Sequence, residues 1–249
     1  MHRFFISSEN WNPGALTLAG SEAHHARDVL RMGVGERLVL FNGRGHEITA
    51  EIVDLGEDEI GLRKLHEAET PPLKCRIVLG QAIPKGKNMD LIVQKAVEIG
   101  AAEIAPIISD RTIVQVDPGN AAQKQSKWKQ IAIEAAKQCG QNWLPHVHAP
   151  RKLAELFSAP GESFDLQLIG SLQPGAQHLK KVLADYLTEH QHRPRRVLML
   201  VGPEGDFTPA ELALARRHGC QPITLGPIIL RVETAAIYCL SILSHELLI

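Results

Sequence analysis

Val197 to Val201, reading VLMLV, is an unbroken apolar run of strand length. A strand that is apolar at every position must be covered on both faces, which favours a parallel sheet flanked by helices. Gly202-Pro203 ends the run. Thr208 is then placed to cap a helix, with Pro209 at its first position and Glu211 closing a T-x-x-E box, and that helix stops near Gly219. A second short strand, Pro222 to Leu225, leads into Gly226-Pro227, apolar Ile228-Ile229-Leu230, then Arg231, Glu233 and Thr234 before a last helix. Two glycine-bearing loops thus follow two buried strands, the end of an open α/β sheet where ligands bind. Taken singly, Gly202, Gly205 and Gly226 read as tight turns. With an apolar rim of Leu200, Val201, Ile229 and Leu230 they make a place for an adenosine. Neither loop matches GxGxxG or GxxxxGK[ST], so a dinucleotide fold or a P-loop is poorly supported.

Upstream the rhythm differs. Arg3 to Ile6, Ala15 to Leu18, Arg37 to Phe41, His46 to Val53 and Glu59 to Leu65 predict short strands, several alternating apolar with polar, as in a small β barrel or sandwich. Asn42-Gly43 signals a hairpin, and Ser21 is expected to cap one short helix reaching about Arg31. The polar stretch Glu67 to Pro72 reads as a linker, which sets the expected domains at 1–72 and 73–249. Beyond it strands and helices alternate: Arg76 to Ala82, a helix over Met89 to Ile99 stopped by Gly100, Ile104 to Ile108, a helix from about Lys124 to Cys139, Phe164 to Ile169, and a helix over Gln177 to Glu189. Alternation of this kind specifies a parallel sheet.

The 249 residues, 44% hydrophobic and 22% charged, are ordinary for a globular chain. The opening MHRFFISSEN lacks a long apolar core and no run reaches about 18 apolar residues, so neither a signal peptide nor a membrane helix is expected, and the cytoplasm is the default location. Cys75, Cys139, Cys220 and Cys239 are widely spaced, as free thiols are. His146-x-His148 and His190-x-His192 lack the further ligands that a metal site needs, so no metal is expected. The net charge is −1, but unevenly spread: residues 1–72 hold seven Lys and Arg against twelve Asp and Glu, and residues 73–249 hold twenty against sixteen. Local basic groups lie at Lys85/Lys87, Lys124/Lys127/Lys129 and Arg193/Arg195/Arg196, serving either a polyanion or simply solvated faces.

Five ordered segments carry a resemblance over nearly the whole chain: His25 to Met32 (HARDVLRM), Lys95 to Gly100 (KAVEIG), Gln138-Cys139-Gly140, Gly202 to Gly205 (GPEG), and Leu225 through Arg231 to Ala235. They resemble the family of ribosomal RNA small subunit methyltransferase E, in the SPOUT superfamily. The resemblance implies a PUA-like β-barrel domain that holds RNA, followed by an α/β domain whose SPOUT-type parallel sheet ends in a deep trefoil knot around S-adenosylmethionine. It also implies a homodimer that methylates N3 of a uridine in 16S rRNA of the assembled small ribosomal subunit, with no membrane partner.

Carried over by that resemblance, the cofactor residues are Leu168, Ile169 and Gly170, then Leu200, Val201, Gly202, Pro203 and Glu204, then Leu225, Gly226, Ile229 and Leu230. Uracil N3 must lose its proton and approach the methyl carbon in line, so positioning supplies much of the acceleration. Arg231 is the candidate for binding substrate or stabilising an anionic uracil, and Glu233 the candidate base. A local ion pair between them at the helix start is the competing reading. His25, Arg27 and Arg31, at spacings that share a helix face, and Lys85, Lys87 and Arg111, in loops after strands, are the candidates for RNA contact, against plain solvation. Trp128 and Trp143 serve as core or, alternatively, stack on a base. Asp206, Val232 and Gln141 depart from the family pattern, which commonly has glycine, threonine and arginine there. A catalytically silent RNA-binding protein and a nucleotide-binding enzyme are the rival functions.

Overall fold

A computed structural model describes residues 1–112, 118–159 and 163–248. By its contacts the chain forms two units, Met1–Pro72 with Ile133–Leu144, and Leu73–Ala132 with Pro145–Ile249.

In the first unit, strands β1 (His2–Phe5), β2 (Thr17–Ala19), β3 (Arg37–Phe41), β4 (His46–Leu55) and β5 (Glu59–Glu69) form one sheet in the order β1-β3-β4-β5-β2. Its alternating strands turn Leu38, Leu40, Ile48, Ala50, Ile52 and Ile60 into a shared core. Asn42 makes the predicted β3–β4 turn: its Oδ1 accepts the N–H groups of Arg44 and His46 at 2.8 and 3.2 Å. Strand β5 runs on to Glu69, so the expected linker shrinks to a few residues. The short helix also differs from expectation. Helix α1 (Gly20–His24) is capped at Ala19, not Ser21, and widens into a π-helical turn over His25–Val29. Residues 133–144 join this unit through side chains that no linear boundary anticipates. Lys137 pairs with Glu22 at 2.5 Å, Asn142 Nδ2 donates to Thr70 Oγ1, and Trp143 Nε1 donates to the Thr70 carbonyl at 2.8 Å.

The second unit holds β6 (Arg76–Ala82), α2 (Asn88–Ile99), β7 (Glu103–Ile108), α3 (Pro118–Cys139, whose last turns count with the first unit), β8 (His146–Val147), β9 (Arg151–Lys152) and α4 (Leu153–Ser158). It continues with β10 (Leu166–Gly170), β11 (Gln177–His178), α5 (Leu179–His190), β12 (Arg196–Val201), α6 (Pro209–Arg217), β13 (Gln221–Thr224) and α7 (Val232–Leu247). The eight-stranded sheet runs β11-β13-β10-β12-β6-β7-β8, with β9 also on β7, and every pairing is parallel. Val197 to Leu200 are wholly buried at its centre, as the apolar run demands. Short β8, β9, β11 and α4 carry too few residues for a periodic signal and escaped the sequence reading.

The starts of three neighbouring strands are clamped by Glu103. Its Oε1 accepts from Arg76 and Arg196 at 3.0 Å each and its Oε2 from His148 Nε2 at 2.8 Å. The His148 hydrogen bond, with Arg196 beside it, outweighs burial and pulls the carboxyl down to about 2. Arg196 also lies over the Phe164 ring at 4.6 Å. All four cysteines are free thiols; Cys75, Cys220 and Cys239 are buried and pushed up to about 12 by desolvation, whereas Cys139 is exposed.

Candidate functional site

Strands β13, β10 and β12 are neighbours in the sheet, so the loops that leave their carboxyl ends emerge side by side. They and the start of α7 enclose a cleft of about 500 Å³, within the usual range for a small-molecule site. The β10 loop supplies Gly170, Ser171 and Leu172, the β12 loop Val201 to Glu204 and Asp206, and the β13 loop Leu225, Gly226 and Ile228 to Leu230. Nine of the expected cofactor residues line it. Leu168, Ile169 and Leu200 do not: their side chains are spent on the core of the sheet, at no more than 1% exposure, and the lining begins one residue later.

Local chemistry shapes each loop. A Cβ on Gly202 would lie 3.2 Å from Asp206 Oδ1 and 3.3 Å from the Phe207 backbone nitrogen, so a larger residue would make these neighbours give by a few tenths of an ångström. Gly226 has φ +114, a conformation that side chains resist. Asp206, at φ +61, is one of three non-glycine residues with positive φ among the described residues, and its Oδ1 accepts the Phe207 N–H at 2.7 Å. That left-handed backbone explains why glycine suits the position and how an aspartate holds it. Glu204 Oε1 accepts the Lys85 N–H at 2.9 Å, tying the β12 loop to the β6 loop. Apolar walls with open glycine backbone fit an adenosine and its polar tail.

Arg231 and Glu233 both line the cleft, at the start of α7. They do not form the local ion pair. Glu233 Oε2 instead accepts from Asn88 Nδ2 at 3.1 Å, and among the described residues no carboxylate pairs with the Arg231 guanidinium. A fixed cation and a hydrogen-bonded carboxylate therefore face one cavity. Asn88, also lining it, was missed in sequence; the only signal was its place at the first turn of α2, directly after the lysine loop. Val232, the first residue of α7, is buried.

Lys85 and Lys87 are exposed beside the cleft. Arg111 donates to the Gly205 carbonyl, which holds it against the same loop. The three candidates of the first unit do not share a face. The π-helical turn breaks the three-and-four spacing, and Arg31 has already left the helix at φ +55. Arg27 is engaged by Asp28 at 3.0 Å and by the Gly56 carbonyl at 2.9 Å, and His25 sets its ring edge against Phe4. Trp128 is buried, its Nε1 donating to Asp90 at 3.2 Å. Gln141 uses its Oε1 to accept the Trp143 N–H at 3.3 Å. Among the described residues no group of three His, Cys, Asp or Glu is placed to hold a metal, and no helix is long and apolar enough to cross a membrane.

A family model described as an RNA methyltransferase domain matches residues 71–244, and one described as an RNA methyltransferase PUA domain matches residues 18–65. The Ribosomal RNA small subunit methyltransferase E of Bacillus subtilis is 27% identical over 250 residues, 99% of this chain and 97% of its own. A solved structure of the Neisseria gonorrhoeae protein of that name, bound to S-adenosyl methionine, is 31% identical with a TM-score of 0.84, over 99% of this chain and 98% of that one. A Legionella pneumophila methyltransferase solved in complex with the same cofactor is 34% identical with a TM-score of 0.85, over 98% and 97%. Because these likenesses extend through both units, the chain belongs to the ribosomal RNA small subunit methyltransferase E family.

Proposed function

We propose that this S-adenosylmethionine-dependent ribosomal RNA methyltransferase acts on N3 of one uridine in 16S rRNA, within the assembled small ribosomal subunit. The observation that carries the reading is the convergence of three strand-end loops on one cleft with Arg231 and Glu233 on its wall. S-adenosylmethionine supplies an electrophilic methyl carbon on its sulfonium. Arg231 binds a uracil carbonyl oxygen through its guanidinium and stabilises the anion left when N3 is deprotonated. Glu233 accepts that proton, and Asn88 holds its carboxylate in place. Lys85, Lys87 and Arg111 contact phosphate near the cleft, while residues 1–72 act as the RNA-holding PUA-like domain with His25, Arg27 and Arg31 at its surface.

Three further features complete the reading. Ile228 and Ile229, 74% and 76% exposed at the rim of the cleft, with Leu172 and Tyr238 also exposed, suit cover by a second copy, as in a homodimer. Helix α7 follows β13 yet packs on β6, β12 and α2, and this return across the sheet supports the reading of a trefoil knot in the segment after β13. The cytoplasm, where small subunits are found, is the proposed location. Mass mapping of 16S rRNA from cells lacking the protein, rescued with wild type or Arg231→Ala, tests the whole. The methyl mark returns with wild type and stays at least about 100-fold lower with the variant. An unmarked uridine after wild-type rescue refutes the assignment.

A further inference from the structure

At the other end of the sheet from the cleft, Lys74, His192, Arg193, Pro194, Arg195 and Leu247 surround a hollow of about 450 Å³. Lys74 stands two residues before β6, and Arg193 and Arg195 stand just before β12; these strands are parallel neighbours, so both starts deliver cations to one place. The arginines here divide their work. Arg196 turns inward to Glu103 and Phe164, whereas Arg193 and Arg195 are exposed. Among the described residues no carboxylate pairs with the side chains of Lys74, Arg193 or Arg195. Asp165 accepts the backbone N–H groups of Arg195 and Arg196, at 2.7 and 2.9 Å, and leaves the Arg195 guanidinium unused. Arg193 gives one N–H to the Glu246 carbonyl, which anchors its fork at the end of α7.

Rings accompany the cations. Tyr186 and His190 lie 4.2 Å apart between centroids, and His192 lies 6.1 Å from each. His192 Nδ1 donates to the Arg193 carbonyl at 3.0 Å, so the neutral ring keeps Nε2 as an acceptor. Unpaired cations beside His192, whose ring closes a cluster of tilted and edge-on rings, together with an acceptor nitrogen match phosphodiester, base and 2′-hydroxyl, the three groups that RNA presents together. On a chain of net charge −1, such a cluster is not the by-product of a basic surface.

We infer that this hollow is a second RNA contact, binding backbone phosphates of the substrate strand roughly 20 Å from the methyl-transfer cleft, as the rise along β12 dictates. The inference rests on the methyltransferase reading above. The test is binding of purified small subunits by wild type, the Lys74→Gln/Arg195→Gln double variant and Arg195→Lys, over a range of salt. Losing two phosphate contacts lowers affinity about tenfold at physiological salt and shallows the slope of log K against log salt by about 1.4 to 1.8. Arg195→Lys keeps the slope, and all forms keep the wild-type melting temperature and S-adenosylmethionine affinity. A double variant with that cofactor affinity but wild-type RNA affinity and slope overturns the contact, while methylation by wild type leaves the enzyme standing. A wild type that loses its salt slope in the double variant yet methylates no subunit supports the contact and sinks the enzyme reading instead.

Discussion

Single residues around the cleft carry opposed demands. Asp206 occupies left-handed backbone at a strain of about 1 kcal/mol, offset by its own hydrogen bond to the Phe207 N–H. Asp206→Gly removes the strain and the bond together, so urea unfolding is expected to stay within about 1 kcal/mol of the parent. Asp206→Ala keeps the strain and loses the bond, and is expected to be about 1 kcal/mol less stable. Asn88 and Glu233 form a second test at this scale. If Asn88 works only by holding the carboxylate, Asn88→Ala/Glu233→Gln is no slower in methyl transfer than Glu233→Gln alone, and the coupling appears in kcat rather than in the KM for cofactor. A double variant slowed by the product of the two single effects would make Asn88 an independent contributor.

Among the elements, α6 was fully legible before any coordinates. Thr208 Oγ1 accepts the Glu211 N–H at 3.3 Å, Glu211 Oε2 accepts the Thr208 N–H at 2.8 Å, and Pro209 leads the helix. What sequence did not reveal is the second duty of Glu211, whose Oε1 accepts the Asp110 N–H at 3.0 Å and pins the loop after β7. Thr208→Ala is therefore expected to destabilise by about 1 kcal/mol and Glu211→Ala by about 2 kcal/mol in denaturant titration. The opposite case is the helix after β2. Its residues carry helical spacing, yet the π-helical turn at His25–Val29 scatters the face on which His25, Arg27 and Arg31 were grouped. Local spacing assumes the α-helical repeat, and nothing in HARDVLRM announces the widening. For the same reason the buried run Val197 to Val201 announced its strand, whereas two-residue β8, β9 and β11 exist only through their partners.

Over the whole molecule, Glu103 contributes to the response to acid. Its carboxyl is depressed from 4.5 to about 2, so the clamp on β6, β7 and β12 is complete above about pH 4.5 and is lost as pH falls towards 2. The contribution is of order 3 kcal/mol. Glu103→Gln should be less stable at neutral pH, and its unfolding midpoint should vary less between pH 5 and pH 2 than that of the parent; parallel pH profiles would remove Glu103 from this role. The order of domains and the parallel sheet could be read from changes in hydrophobic rhythm, but membership of residues 133–144 in the first unit could not. It depends on long-range partners such as Lys137 with Glu22 and Asn142 with Thr70. The cleft was half legible: glycines and apolar runs marked its loops, while the inward turn of Leu168, Ile169 and Leu200 awaited the sheet register.

Of four thiols, three are both sequestered and held protonated, and none lines the cleft. Alkylation of the native chain at neutral pH therefore stops at one adduct, on Cys139, and catalysis survives it. The same reagent then becomes a clock for global opening, since adducts two to four report the second unit coming apart.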